Sequence, residues 1–131
     1  MPRPKQEHPT PAELEVLLLL WDRGPATVRE VMEALDRRRP RAYTSVMSLL
    51  GVMTDKRLLR RRRKGRGYVY QPRVAREKTL GQMLRDLLTR AFEGSAASLV
   101  ARLLEESSPS PEELAEIHRT IDQFRQGRGD D

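Results

Sequence analysis

The 131-residue chain contains no cysteine, which excludes disulfide bonds, thiolate metal ligands and thiol chemistry. Its longest uninterrupted apolar run, Val16–Trp21, is far shorter than the roughly 20 residues needed to cross a bilayer. The polar, proline-rich start of the chain lacks the apolar core of a secretory signal. We therefore expect a cytoplasmic protein with no membrane partner, and we predict that residues 1–8 form a flexible lead.

Catalytic motifs are also missing. The two histidines, His8 and His118, are far apart in the sequence, and no H-x-x-x-H pair, glycine-rich phosphate loop or G-x-S-x-G motif occurs. These absences predict a protein that is not an enzyme and that uses no metal ion or other cofactor.

Positive charge is abundant but concentrated. The whole chain has a net charge of +6, whereas residues 37–66 contain twelve basic residues and the single acid Asp55, a net charge of +11. The rest of the chain is therefore net negative. A basic patch of this kind predicts a polyanionic partner such as nucleic acid.

Three short amphipathic helices are predicted in the first half of the chain. Two begin at capping boxes, formed by Thr10 with Glu13 and by Thr27 with Glu30, and the third runs over Ala42–Asp55. Each predicted helix has an apolar stripe with i, i+3, i+4, i+7 spacing. The stripes consist of Leu14, Leu17, Leu18 and Trp21; Val28, Val31, Met32 and Leu35; and Val46, Leu49, Leu50 and Met53.

A β-hairpin is predicted directly after the third helix. Leu58–Arg63 and Tyr68–Tyr70 have strand character, and the glycine-containing segment Lys64–Gly67 predicts the turn between them. Helix, helix, turn, helix and hairpin is the order of a winged helix-turn-helix, in which the third helix enters the DNA major groove. We therefore predict a DNA-binding domain of this type over residues 9–73.

Small hydroxyl residues lie opposite the apolar stripe of the third helix, between two basic clusters. We expect Thr44, Ser45 and Ser48 to read base edges, and the basic residues to contact phosphates of double-stranded DNA. The predicted DNA-binding residues are Arg38, Arg39, Arg41, Tyr43, Thr44, Ser45, Ser48, Lys56, Arg62, Arg63, Lys64 and Arg66.

The second half of the chain predicts three helices over residues 74–126, followed by a flexible tail over 127–131. Their apolar stripes are too wide to close a core in about 50 residues, which favours packing against a second copy of the chain; folding back onto the first domain in a monomer is the alternative. The fold class is thus mainly α with a small β-hairpin wing. The predicted dimerisation residues are Leu80, Leu84, Leu87, Leu88, Phe92, Leu99, Leu103, Leu104, Leu114, Ile117, Ile121 and Phe124.

Five segments resemble the penicillinase repressor family of bacterial regulators, which includes repressors of β-lactamase and methicillin-resistance genes. They are TPAELEVLLLLW (10–21), ATVREVMEAL (26–35), YTSVMSLL (43–50), GRGYVYQP (65–72) and FEGSAASLV (92–100). The resemblance implies a homodimer that binds a palindromic operator and represses transcription. A winged-helix protein-interaction adaptor and an RNA-binding module are the alternative functions.

The resemblance also implies that a sensor-activated protease cleaves the dimerisation region a few residues after the FEGS motif. The candidate bond here is Arg102–Leu103, where family repressors of known cleavage carry Asn-Phe. Two further departures lie at the end of the third helix. Val52 stands where members usually have arginine, and Arg57 stands where they usually have glycine, so Arg57 is predicted to adopt the left-handed conformation.

Overall fold

The computed structural model describes residues 8–37 and 40–129, and the chain divides into two units, one ending at Arg85 and the other beginning at Asp86. Nearly all of the predicted N-terminal lead lies outside the described residues. The described elements confirm a mainly helical fold with a small antiparallel sheet. They are α1 (Pro11–Arg23), β1 (Ala26–Thr27), α2 (Val28–Asp36), α3 (Tyr43–Asp55), β2 (Leu59–Lys64), β3 (Gly67–Pro72), α4 (Arg76–Phe92), α5 (Ala96–Ser107) and α6 (Pro111–Gly129).

Both predicted capping boxes are confirmed. The Thr10 hydroxyl accepts from the Glu13 backbone N–H at 3.2 Å, and the Glu13 carboxylate accepts from the Thr10 N–H at 2.9 Å. Thr27 and Glu30 repeat this exchange at the start of α2. The backbone hydrogen bond from Thr27, with a side-chain hydrogen bond from Arg23, lowers the pKa of Glu30 to about 2. Local hydrogen bonds thus fix where these two helices begin.

The core of the first unit is built from one face of each of the first three helices, closed by the sheet. In α1 the buried apolar residues are Val16, Leu17 and Leu20, whereas Leu18 is 41% exposed. Leu17 is buried as predicted and Trp21 packs against the core, whereas the prediction was wrong for Leu18 and missed Val16 and Leu20. A continuous apolar run contains several overlapping stripes, so its spacing does not decide which one faces inward.

The sheet has the strand order β1–β3–β2, with all neighbours antiparallel. The predicted hairpin is confirmed: Lys64 pairs with Gly67, and the loop between them starts at Gly65, whose φ of 63° suits the first position of a type II′ turn. The third strand, β1, was not predicted because its two residues are too short for any periodicity. Its pairing with β3 places Ala26 opposite Tyr70 in the core.

The boundary between the units lies later than the predicted boundary between residues 73 and 74. The first turns of α4 belong to the first unit, and Thr79 is 8% exposed. Just before α4, the carbonyl of Val74 accepts a hydrogen bond from the Trp21 indole at 3.0 Å. The burial of Thr79 and this long-range bond extend the first unit into α4. Neither feature can be predicted from the spacing of apolar residues.

The second unit contains the rest of α4 together with α5 and α6. None of the residues of α5 is buried. Residues 127–129, which were predicted to belong to the tail, continue α6 through Gly129. One glycine lowers helix propensity by about 1 kcal/mol without ending a helix, and Arg128 in the last turn complements the helix dipole. Over the part of the chain that the structure describes, no helix has the length and hydropathy needed to cross a membrane.

A Schellman motif ends α3, with an arginine at its left-handed position. The N–H of Leu58 donates to the Met53 carbonyl at 2.9 Å, and the N–H of Arg57 donates to the Thr54 carbonyl at 3.1 Å. Arg57 has a φ of 67°, which confirms its predicted conformation. This region costs residues other than glycine roughly 1–2 kcal/mol.

We predict that Arg57→Gly raises the free energy of unfolding by up to about 1 kcal/mol, because relief of the left-handed strain exceeds the added chain entropy of glycine. Urea unfolding followed by the fluorescence of Trp21, the single tryptophan, measures the change. Arg57→Ala is the control, since it removes the same charge and keeps the Cβ atom. An equal gain in both variants would assign the effect to charge repulsion and contradict the prediction.

Candidate nucleic-acid interface

The outer face of α3 is a polar surface of small side chains with two apolar residues among them. Thr44, Ser45 and Ser48 are exposed, and Met47 and Val52 are 46% and 45% exposed. The opposite face holds α3 in the core through Val46, Leu50 and Met53, which are at most 1% exposed. Periodicity predicted these two faces, and the structure places each of these residues on the predicted side.

The first turn of α3 has open backbone donors. Its N-cap residue, Ala42, makes no side-chain cap hydrogen bond, and the first backbone bond of the helix runs from the Val46 N–H to the Ala42 carbonyl at 3.1 Å. The N–H groups of the first turn therefore remain available at the positive end of the helix dipole. Tyr43, in the same turn, is 43% exposed.

The β2–β3 hairpin, which we call the wing, distributes its cations over both faces of the sheet. Opposed residues of antiparallel strands share a face, so Arg61 and Arg63 lie on the side of Tyr68 and Tyr70, and Arg60 and Arg62 lie on the other. The Arg61 guanidinium stacks over the Tyr68 ring, 4.1 Å from its centroid, and that of Arg63 is 6.0 Å away.

Other wing cations differ in what they contact. When the side-chain amide of Gln71 is turned so that its oxygen points towards Arg60, that oxygen accepts a hydrogen bond from Arg60 Nη2 at 2.7 Å. Arg62, Lys64 and Arg66 are exposed, and within the described ranges they form no ion pair. These three side chains are the most available cations of the wing.

The two cations that flank α3 are paired inside the first unit. Arg41 Nη2 lies 2.6 Å from a carboxylate oxygen of Glu15, and the Arg41 side chain is 12% exposed. Lys56 Nζ lies 2.8 Å from a carboxylate oxygen of Glu13, whose side chain is 3% exposed. Arg41 and Lys56, which were both predicted to contact phosphates, pair in the structure with two acids of α1, and their contact with DNA stays a prediction. Arg38 and Arg39 lie outside the described residues.

Comparison with known proteins adds the family. The family model described as penicillinase repressor matches residues 9–123, most of the chain. The chain belongs to the penicillinase repressor family. It is 25% identical over 114 residues to the penicillinase repressor of Bacillus licheniformis, covering 87% of this chain and 89% of that protein. It is 32% identical over 119 residues to the transcriptional regulator BlaI of Mycobacterium tuberculosis H37Rv, covering 89% of this chain and 85% of the relative.

Membership of the penicillinase repressor family makes the protein a transcriptional repressor, and not an enzyme. DNA is therefore the partner of its winged helix domain. The family resemblance seen in the sequence is confirmed.

The predicted dimerisation residues of this repressor are all exposed or half-buried within the single chain. The exposed fractions of Leu84, Leu103 and Phe124 are 54%, 54% and 63%. Leu87, Leu114 and Ile121 are also exposed, and the half-buried members are Leu80, Leu88, Phe92, Leu99, Leu104 and Ile117.

The candidate cleavage bond lies inside a helix. Arg102 and Leu103 are both exposed in α5, and the Arg102 guanidinium is 3.5 Å from Glu105 and 3.8 Å from Glu106. A protease binds its substrate as an extended strand, so α5 has to unwind locally before this bond can be cut.

The buried carboxylate of Glu13 is held in its ionised form. Burial on its own raises the pKa of Glu13, but hydrogen bonds from Lys56 and Thr10, together with the charge of Lys56, bring the pKa below the usual 4.5. A carboxylate whose pKa is lowered by folding stabilises the folded state above its unfolded pKa. That contribution is lost as the pH falls through the lower, folded value.

We predict that Glu13→Gln lowers the free energy of unfolding at pH 7 by about 1–3 kcal/mol, because the charged hydrogen bond to Lys56 is lost. The difference from the unsubstituted protein should shrink as the pH falls from 4.5 through the lower folded pKa, below which Glu13 itself is neutral. Urea unfolding at pH 7, 4.5 and 3 measures it. Glu33→Gln, an exposed carboxylate on α2, is the control. A stability difference that is independent of pH would contradict the ionised state of Glu13.

Proposed function

We propose that the protein represses transcription as a homodimer on a palindromic operator, which it reads with α3 and grips with the wing of each subunit. The observation that carries the proposal is the exposed hydroxyl face of α3, with the cations of the wing following it in the chain. Transcriptional repression follows from membership of the family. The two surfaces support the proposal on how the protein recognises DNA.

The reading face is suited to the major groove. The hydroxyl groups of Thr44, Ser45 and Ser48 can donate to or accept from base edges, and Met47 and Val52 offer apolar contact to thymine methyl groups. Side chains this short let the helix backbone come close to the bases. The open N–H groups of the first turn, together with the Tyr43 hydroxyl, suit neighbouring phosphates.

The wing supplies affinity that does not depend on sequence. Arg62, Arg63, Lys64 and Arg66 combine charge with exposure. Phosphate contacts by such cations position a protein on DNA and make its binding dependent on salt concentration.

Exposed apolar side chains on the helices of the second half support assembly with a second copy. A surface this rich in leucine, isoleucine and phenylalanine is unusual on a monomer and typical of an interface. A two-fold dimer would place its two reading helices on half-sites about one helical turn apart, roughly 34 Å.

Proteolysis in α5 is the proposed means of relief. Cleavage between Arg102 and Leu103 would separate the predicted dimerisation residues of α4 and early α5 from those that follow, and each fragment would retain only part of the interface. Because one relative is named as a penicillinase repressor, the promoter of a penicillinase gene is the first operator to test.

We predict that the purified protein protects two symmetric half-sites in duplex DNA, with centres about one helical turn apart. Genomic footprinting measures this and yields the operator sequence. A chain truncated after Arg102 is the matched control, since it keeps the whole first unit. It should be monomeric in sedimentation and should bind the same half-sites more weakly.

Other protection patterns would assign a different function. Protection of no duplex site would favour a protein-interaction adaptor, and preference for single strands would favour an RNA-binding module. A single unpaired half-site with the full chain would contradict the dimer.

We predict that Arg63→Ala and Lys64→Ala weaken binding to operator and to unrelated duplex DNA alike. Each should reduce the slope of log affinity against log salt by roughly one for every phosphate that the side chain no longer neutralises. Ser48→Ala should instead weaken operator binding alone and leave the slope unchanged. Arg125→Ala, an exposed arginine on α6, is the control. Altered base preference with an unchanged slope in the wing variants would contradict the phosphate role.

A further inference from the structure

We propose that Glu13 and Glu15 are positioning residues, which hold α3 through Lys56 and Arg41 in the orientation that lets its outer face read DNA. The inference rests on the proposed DNA-reading role of α3 and identifies what orients it. Two acids at the start of α1 thereby contribute to operator recognition without touching DNA.

The two ion pairs hold α3 at both of its ends. Arg41 lies two residues before the helix and Lys56 directly follows it, and the helix between them has thirteen residues, about 20 Å. Their partners are only two positions apart in α1. Contacts at both ends resist rotation of α3 about its axis and sliding along it, whereas one contact would leave a pivot.

The apolar contacts of α3 do not fix its orientation to the same extent. Val46, Leu50 and Met53 form a stripe whose burial is non-directional, so a small rotation or shift of the helix retains most of it. Hydrogen-bonded ion pairs depend on distance and angle, and buried polar groups of this kind can specify one arrangement among several apolar ones.

Both cations are also poorly placed to serve phosphates. The Lys56 ammonium compensates a carboxylate that is 3% exposed, and withdrawing it would leave that charge buried without its cation. Arg41 is held twice, by the Glu15 carboxylate at its side chain and by the Asp36 carboxylate, which accepts from its backbone N–H at 2.9 Å. The Arg41 side chain is 12% exposed, so little of it is open to a phosphate.

The proposal is tested by the direction in which DNA affinity changes when the acids are removed. If Glu13 and Glu15 position α3, then Glu13→Gln and Glu15→Gln lower the ratio of operator affinity to affinity for unrelated duplex DNA by about tenfold, within the range of coupled residues. If Lys56 and Arg41 are phosphate ligands restrained by these acids, the same variants free the cations. Binding to both DNAs then tightens and the salt slope steepens, which would overturn the proposal.

The cation variants provide the second arm. Lys56→Gln and Arg41→Gln should lower the same ratio and leave the affinity and salt slope for unrelated DNA unchanged. The double variant Glu13→Gln/Lys56→Gln should lower the affinity ratio no further than either single variant does, because each of the three variants removes the same ion pair. A salt slope reduced by about one in Lys56→Gln would instead identify a phosphate contact and overturn the proposal for this pair.

Controls separate positioning from loss of folding and from failure of the proposed function. Asp22→Asn removes an exposed carboxylate farther along α1 and should leave the affinity ratio unchanged. Lys64→Gln is the reference for the loss of a proposed phosphate contact. Circular dichroism and Trp21 fluorescence establish that each variant is folded at the assay temperature. If the unsubstituted protein protects no operator, the proposed function fails. If it protects an operator but the affinity ratio is unchanged in all four acid and cation variants, only this inference fails.

Discussion

The carboxylate of Glu13 joins the start of α1 to the end of α3 in one hydrogen-bonded group. One oxygen accepts from the Thr10 N–H and completes the cap of α1, and the other accepts from Lys56, 43 residues further along the chain. Because the side chain is buried, the first turn of α1 is tied to the inside of the domain. The same turn therefore orients the apolar run of α1 towards the core and holds the C-terminal end of α3.

The basic segment of the chain is divided by its surroundings into cations with different roles. Arg41 and Lys56 neutralise acids of α1, and the guanidinium of Arg61 covers the Tyr68 ring. Arg62, Lys64 and Arg66 remain exposed on the wing. Net charge thus indicates the class of partner, while the surroundings of each side chain decide whether its charge can reach that partner.

Features set by neighbouring residues could be predicted from the sequence. The capping boxes, the faces of α3 and the hairpin turn at Gly65 all depend on residues a few positions apart. Features that join distant residues could not: the Glu15–Arg41 pair spans 26 positions, and the short β1 exists only through its pairing with β3. The phase of α1 belongs to this second group, since a run of six apolar residues fits several stripes.

In the proposed mode of DNA binding, the exposed cations of the wing also affect the kinetics of the search for an operator. Exposed charge acts over about 8–10 Å at physiological salt, so it attracts DNA before any base is in contact and raises the association rate. The same attraction persists while the protein slides along unrelated sequence. In the same proposed mode, the hydroxyl groups of α3 act only at short range and would therefore govern how long the protein stays once it reaches its site. Arrival and residence would in this way be controlled by separate parts of one small domain.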